Sequence, residues 1–357
     1  MRSSAHTFRS RPVEQQDPIH IVLKKPSYPV GHGLARYLTK HGRRNGIPIA
    51  YEDLLRHDGL MAQRGPDGNE TLWTTVMPRP SEMADLHERL VELYRILVGD
   101  GKPLPYLCVD SIDFCGYGNS QPFRIKILNL INDNHDYYYI KKTDASRVYG
   151  LELEHMLSPN RINYLVDGDT LVEEHIIGVP GDDFIRAPGD YGGHLNPVRL
   201  SKEFVKFNER CFARLLGDMR AYNFVVDVIQ DFDQVQYRLR SIDFDQQCHE
   251  GRHKIYLPQF YKENLPFVQF SRKYIDRESA VQYSNEERSL LRKRYRLSQA
   301  PLEELLGAMC TDPISTAAQV HQLARELADL HNERTLARCT SMGELLGMHL
   351  KLRLGVD

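Results

Sequence analysis

Strand-like runs crowd the middle of this chain, and helices fill its second half. Leu107–Phe114, Phe123–Leu130 and Tyr137–Lys142 read as strands separated by polar turns at Gly116–Gln121 and Asn132–Asp136. The spacing then predicts a helix over 144–157 and strands near Ile162–Val166 and Leu171–His175, so the order is three strands, a helix and two more strands. Beyond the proline- and glycine-rich stretch Pro180–Pro197, helical spacing recurs over 201–216, 286–298, 301–310, 315–333 and 341–353, with one strand pair around 224–242. Upstream, Ser81 follows Pro80 as an N-cap, and Met83, Leu86, Leu90, Leu93, Tyr94 and Leu97 mark a helix over 81–98 that Gly99 ends. Strands gathered in one region and helices in another imply an α+β class.

Composition removes several functions. The 357 residues carry 46 Lys+Arg against 48 Asp+Glu, a balance that argues against a chain built chiefly to grip nucleic acid. No apolar run approaches the roughly 18 residues a membrane span requires. The six cysteines, Cys108, Cys115, Cys211, Cys248, Cys310 and Cys339, have neither C-x-x-C nor zinc-ligand spacing, which fits free thiols and a cytoplasmic setting. Residues 1–46 hold nine basic residues against Glu14 and Asp17; a solvated, partly ordered arm is expected there, with an anionic partner as the alternative. Trp73 is expected to pack within the N-terminal segment, and the amphipathic stretch Ser315–Asn332 to pack in a helical core.

Three places offer chemistry. The segment Leu216–Asn223 leaves a long helix and enters a strand, and within it Asp218 and Asn223 stand five positions apart. An aspartate so placed can orient or accept the proton of an attacking hydroxyl, while the amide oxygen binds a metal. Ser241-Ile242-Asp243-Phe244-Asp245 ends the next strand, and carboxylates there suit Mg²⁺, a hard cation. Earlier, Tyr138-Tyr139-Ile140-Lys141-Lys142 closes the third strand. Its lysines point to opposite faces, so one of them, Lys141 by preference, can meet phosphate as a point charge. Glu152 and Glu154 in the following helix are both candidates to pair with that lysine; about 200° of helical rotation separates them, so they cannot share the role.

In this order, Lys141, a helix acid, Gly217-Asp218-x-x-x-x-Asn223 and Ile242-Asp243-Phe244 resemble the signature of the protein-kinase-like superfamily, nearest to its phosphoinositide-kinase, aminoglycoside-phosphotransferase and bacterial HipA-type branches. The resemblance covers roughly 105–335. It implies a two-lobed α+β fold with a β-rich small lobe over 101–185, a helical large lobe over 186–357, and residues 1–100 as an N-terminal extension. It further implies ATP and Mg²⁺ as cofactors, Asp218 as catalytic base, Asn223 and Asp243 as metal ligands, and a backbone hinge at Glu174-His175-Ile176 facing adenine. Gly116-Tyr117-Gly118 sits where a phosphate-covering loop belongs. The chain departs from the pattern at Gln121, where a third glycine would fall, and at Asp245, which replaces the glycine of Asp-Phe-Gly and is an added candidate ligand.

The reading that follows is a phosphotransferase moving the γ-phosphoryl group of ATP to a hydroxyl acceptor, protein or small molecule. Two alternatives stand beside it. One is a pseudokinase that binds nucleotide without turnover. The other is an ATP-grasp ligase, since Glu173-Glu174-His175-Ile176-Ile177-Gly178 also resembles the adenine-binding strand of that fold.

Overall fold

The computed structural model describes residues 25–44, 46–65, 68–98, 104–117, 119–187, 195–231 and 234–356. Its first elements are α1 (His32–Lys40), α2 (Tyr51–Leu54), β1 (His57–Arg64), β2 (Glu70–Pro78) and α3 (Met83–Val98). Next come β3 (Leu107–Phe114), β4 (Phe123–Asn129), β5 (His135–Lys142), α4 (Ala145–Leu157), β6 (Tyr164–Asp167) and β7 (Thr170–Glu174). The middle of the chain gives β8 (Val179–Pro180), α5 (Gly181–Arg186), α6 (Pro197–Arg214), β9 (Phe224–Asp231) and β10 (Gln234–Ser241). It ends in α7 (Leu265–Tyr274), α8 (Arg277–Leu297), α9 (Gln299–Thr311), α10 (Ala317–His331) and α11 (Met342–Leu354). The class is α+β, as the segregation of strands and helices implies.

One antiparallel sheet runs in the order β1-β2-β3-β4-β5-β7-β6, and a smaller antiparallel sheet runs β10-β9-β8. Alternation sorts the large sheet's side chains. Phe123, Ile125 and Ile127 of β4, Tyr138 and Ile140 of β5, and Val172 of β7 face α3, whose Leu86, Leu90, Leu93 and Leu97 complete one core. Leu171 of β7 and Tyr164 and Val166 of β6 turn the other way, into a second core shared with α4, α6 and the C-terminal helices. Adjacent residues of β7 thus enter different cores, Val172 the first and Leu171 the second.

The described part of residues 1–100 does not stand apart as an extension. Strands β1 and β2 lengthen the sheet, Thr74 and Thr75 pairing with Phe114 and Asp113. Helices α2 and α3 belong to the sheet core, and Leu34, Tyr37 and Leu38 of α1 to the helical core. The β1–β2 hairpin escapes a periodicity search because apolar side chains fall on both of its faces and few are buried; the neighbours Leu60 and Met61 are both exposed, as is Leu72.

Nor is the basic N-terminal segment a free arm where it is described. Lys25 is buried against Asp144 at 2.7 Å, Arg43 reaches Glu152 at 2.9 Å, and Lys40 reaches Glu304 at 2.8 Å. These cations neutralise the chain's own acids. Residues 1–24 lie outside the described region. Helix α10 buries Val320, Leu323, Ala324 and Leu327, as its amphipathic pattern indicates. No described helix is long and apolar enough to cross a membrane.

Candidate functional site

A cleft of about 380 Å³ opens between the face of β5 and β7 that turns away from α3 and the edge of the small sheet. The face of β5 that turns away from α3 carries Tyr139 and Lys141. Lys141 is 7 % exposed, while Lys142, one residue on, faces solvent. The strand register therefore selects Lys141 as the cleft lysine.

Neither helix acid pairs with it. Lys141 Nζ donates to Glu173 Oε2 at 2.8 Å. Tyr139 is the residue paired with Glu173 across the β5–β7 ladder, so Lys141 and Glu173 are diagonal neighbours on one face, within reach for long side chains. Glu152 instead accepts from Tyr37 Oη at 2.8 Å, Arg43 Nε at 2.9 Å and Tyr164 Oη at 2.5 Å. Glu154 pairs with Arg214 of α6. The reason is axial. Both acids lie five or seven residues beyond Arg147, about 7–10 Å further along the helix, where they meet the N-terminal segment and α6.

Arg147, in the first turn of α4, occupies the place an acid was expected to fill. Asp144 caps this helix, its carboxylate accepting from the Arg147 N–H. The Arg147 guanidinium grips Glu173 through Nε and, at 2.8 Å, through Nη2. Its Nη1 reaches Asp243 Oδ1 at 3.1 Å and Asp245 Oδ1 at 2.9 Å, and Nη2 reaches the Ile242 carbonyl at 3.2 Å. Burial alone would raise the Glu173 carboxyl, but Arg147 and Lys141 hold it down to about 2. Burial, and then repulsion from Arg147, lowers the pKa of Lys141.

This pattern sets a pH dependence. The folded-state pKa of Glu173 lies below the ordinary 4.5, so its stabilising contribution is complete above that value and disappears as pH falls toward 2. A Glu173→Gln variant should be less stable than wild type at pH 7, and the gap should narrow between about pH 4.5 and 2 in urea unfolding. A gap that stays constant over that range would contradict the pairing.

The opposite wall comes from two loops. Asn223 precedes β9, and its Nδ2 donates to the Asp218 carbonyl at 2.7 Å and stands 3.4 Å from Asp218 Oδ2. That commitment of the amide nitrogen assigns the carbonyl oxygen as the atom available to a cation. The Ile242 N–H donates to the Asn223 carbonyl at 3.0 Å, tying the first loop to the second. In the second, the Asp245 N–H donates to Asp243 Oδ1 at 3.0 Å. Gly150 lets this loop approach α4 closely: a Cβ there would stand 2.9 Å from Phe244 Cβ.

Asp218 does not line the cleft; it meets it through Asn223. Its backbone is left-handed, φ 55°, its N–H donates to Tyr261 Oη at 2.9 Å, and its Oδ1 accepts from Arg220 Nε at 2.6 Å. Arg220 also reaches Glu263 at 2.8 Å.

Glu174, His175 and Ile176, the residues expected to form a hinge, all line the cleft, with Gly178 beyond them. Glu174 accepts from Asn163 Nδ2 at 2.8 Å, and His175 Nδ1 lies 3.1 Å from Tyr139 Oη. Gly178 has φ +155°, and a Cβ there would stand 2.7 Å from Val225 Cγ2, so only glycine lets the segment after β7 lie against β9. On the far side, Tyr117, Asn119, Ser120 and Pro122 of the β3–β4 loop contribute. Gly116 is not among the lining residues, and Gly118 lies outside the described residues.

Trp73 is no packing residue of a separate segment. It projects from β2 into the cleft wall, with the Arg124 guanidinium 4.4 Å from its ring centroid. Sequence reading also passed over Arg147 and the role of Glu173. Alternation puts Glu173 on the Leu171 face of β7, but only the β5–β7 pairing brings that face to Lys141. Nothing local marks Arg147.

The set Asp243, Asp245 and Asn223 supplies hard oxygens that suit Mg²⁺. Among the described residues, no group of three or more His, Cys, Asp or Glu is placed to hold a metal; a cation here would draw on the amide oxygen and on ligand oxygens as well. No protein-family model matches the chain, and no curated protein is significantly similar to it.

Proposed function

We propose that this chain is an ATP- and Mg²⁺-dependent phosphotransferase of two-lobed, protein-kinase-like fold, acting on a hydroxyl acceptor. The observation that carries the reading is convergence. Lys141 from β5, the hinge after β7, Asn223 before β9 and Asp243 after β10 meet at one cleft although they are spread over a hundred residues. Their order along the chain is the order the resemblance implies, with Glu173 in place of a helix acid beside Lys141. The sheet core, with α3, would be the small lobe, and the helical core the large one.

Phosphoryl transfer asks for positioning and charge neutralisation more than for covalent chemistry. The apolar walls Ile176, Val225, Ile242 and Pro122 would hold the base beside the hinge backbone. Lys141, held in place by Glu173, would meet the phosphates. Asn223, Asp243 and Asp245 would hold Mg²⁺, which when bound neutralises phosphate charge. Asp218, left-handed and pinned by Arg220 and Asn223, would orient the acceptor hydroxyl.

One observation favours a nucleotide-binding scaffold without turnover instead: Arg147 engages both carboxylates of the metal set. Binding and transfer are separable. With ATP and Mg²⁺ at about 100 times the dissociation constant, thermal unfolding should reflect about 2.7 kcal/mol of added stability. The shift should vanish with chelator and in Asp243→Ala. No shift under any condition would remove the nucleotide reading, and a shift without label transfer to any acceptor would leave the scaffold.

A further inference from the structure

We propose that Arg147 is the resident counter-ion of the cleft carboxylates and passes to the nucleotide's phosphates when a metal–nucleotide complex arrives. This rests on the phosphotransferase reading. A guanidinium has five N–H donors, and those of Arg147 are met by Glu173 twice, Asp243, Asp245 and the Ile242 carbonyl. The residue is 2 % exposed. Three carboxylates converge on this one cation, with Lys141 adding a second on Glu173. Gathering Glu173 and Asp245, both largely buried, beside the half-buried Asp243 without a cation is unfavourable, so Arg147 is what lets the site stand assembled before any metal enters.

The same contacts set up a competition. Arg147 Nη1 uses one oxygen of Asp243 and one of Asp245, the carboxylates a divalent cation would need. A bare cation entering there meets the guanidinium's charge at short range, in surroundings where screening is weak. A polyphosphate removes that obstacle. It brings negative charge with the metal and offers oxygens whose geometry the planar guanidinium fork matches. Only the Arg147 side chain has to turn, because its backbone is held by the Asp144 cap. Metal and nucleotide then bind cooperatively, each weak without the other.

The test uses Mn²⁺ alone, read by electron paramagnetic resonance, and Mg²⁺ with a non-hydrolysable ATP analogue, read by calorimetry. Arg147→Gln should bind Mn²⁺ alone about tenfold more tightly than wild type, and the Mg²⁺–analogue complex about tenfold more weakly. Arg147→Lys keeps the charge but loses the fork, so it should match wild type for Mn²⁺ and still bind the nucleotide complex more weakly. Unchanged affinities in Arg147→Gln overturn the assignment. If that variant does not fold, undiminished nucleotide affinity in Arg147→Lys overturns it equally. Wild type that binds no Mg²⁺–analogue complex sinks the phosphotransferase reading itself, whereas wild type that binds it alongside an indifferent Arg147→Gln sinks only the role of Arg147.

Discussion

Asp218→Asn should cut phosphoryl transfer by about 10²- to 10⁴-fold, the span typical of losing a positioned proton acceptor, while the thermal shift with Mg²⁺–ATP stays at the wild-type value. Asparagine is the informative replacement because Asp218 sits at φ 55°, a conformation that Asn tolerates and most side chains do not. Alanine would add backbone strain to the loss of the carboxylate. Asparagine also keeps an oxygen facing Arg220, which retains Glu263 as its second partner. The turn and the Asn223 anchor therefore survive, and what is lost is the carboxylate's capacity to take a proton. An Asn variant that transfers phosphate at the wild-type rate would remove Asp218 from the chemistry.

Breaking the Glu154–Arg214 pair should have the largest effect on stability. Both side chains are almost fully buried, at 2 % and 1 % exposure, between α4 and α6. Glu154→Ala alone leaves a guanidinium without its counter-charge inside the helical core, and Arg214→Met leaves a carboxylate. Each should cost about 3–5 kcal/mol, because a lone buried ion is far worse than a pair. Changing both at once, Glu154→Leu with Arg214→Met, should recover most of the loss, since packed apolar groups of similar size often replace buried ion pairs at little cost. Urea unfolding of the three proteins measures this. Single variants within about 1 kcal/mol of wild type would show that water reaches the pair.

How far the structure could be read from the chain depended on where its signals are local. Leu107–Phe114 is a strand with the bounds its sequence suggests, and a bulge between Val109 and Ser111 brings Val109 and Ile112 to one buried face. The 144–157 helix is legible because Asp144 caps it and its apolar residues fall at helical spacing. The β1–β2 hairpin was not legible, since neighbouring apolar residues such as Leu60 and Met61 lie on opposite faces and leave no alternation to read. Helix α7, Leu265–Tyr274, was missed for a related reason: only Phe267 and Ser271 are buried along it.

At the cleft, Lys141, Asn223, Asp243 and Asp245 stand out by order and strand setting, and Glu174, His175 and Ile176 through the family resemblance. The partner of Lys141 was not. Pairing Lys141 with Glu173 depends on two strands being neighbours in the sheet, and pairing Arg147 with Asp243 and Asp245 spans nearly a hundred residues. No window of sequence holds either fact. Glu152 and Glu154 misled because they are the acids nearest to the lysine along the chain, while tertiary packing had already given each a different cation.

Helix α4 is buried along nearly its whole length and gripped from several sides. Lys25 and the Tyr28 N–H hold Asp144, Tyr37 and Arg43 hold Glu152, Tyr149 donates to Asp312 at 2.7 Å, and Arg214 holds Glu154. A helix held this way cannot swing or rotate as a regulatory lever without dismantling the core around it. Its amide protons should therefore exchange with deuterium only when the whole domain opens. Control over this cleft would have to come from what enters it, and the stretch from Lys25 to Arg43, remote in sequence, is as much a part of its frame as the strands that line it.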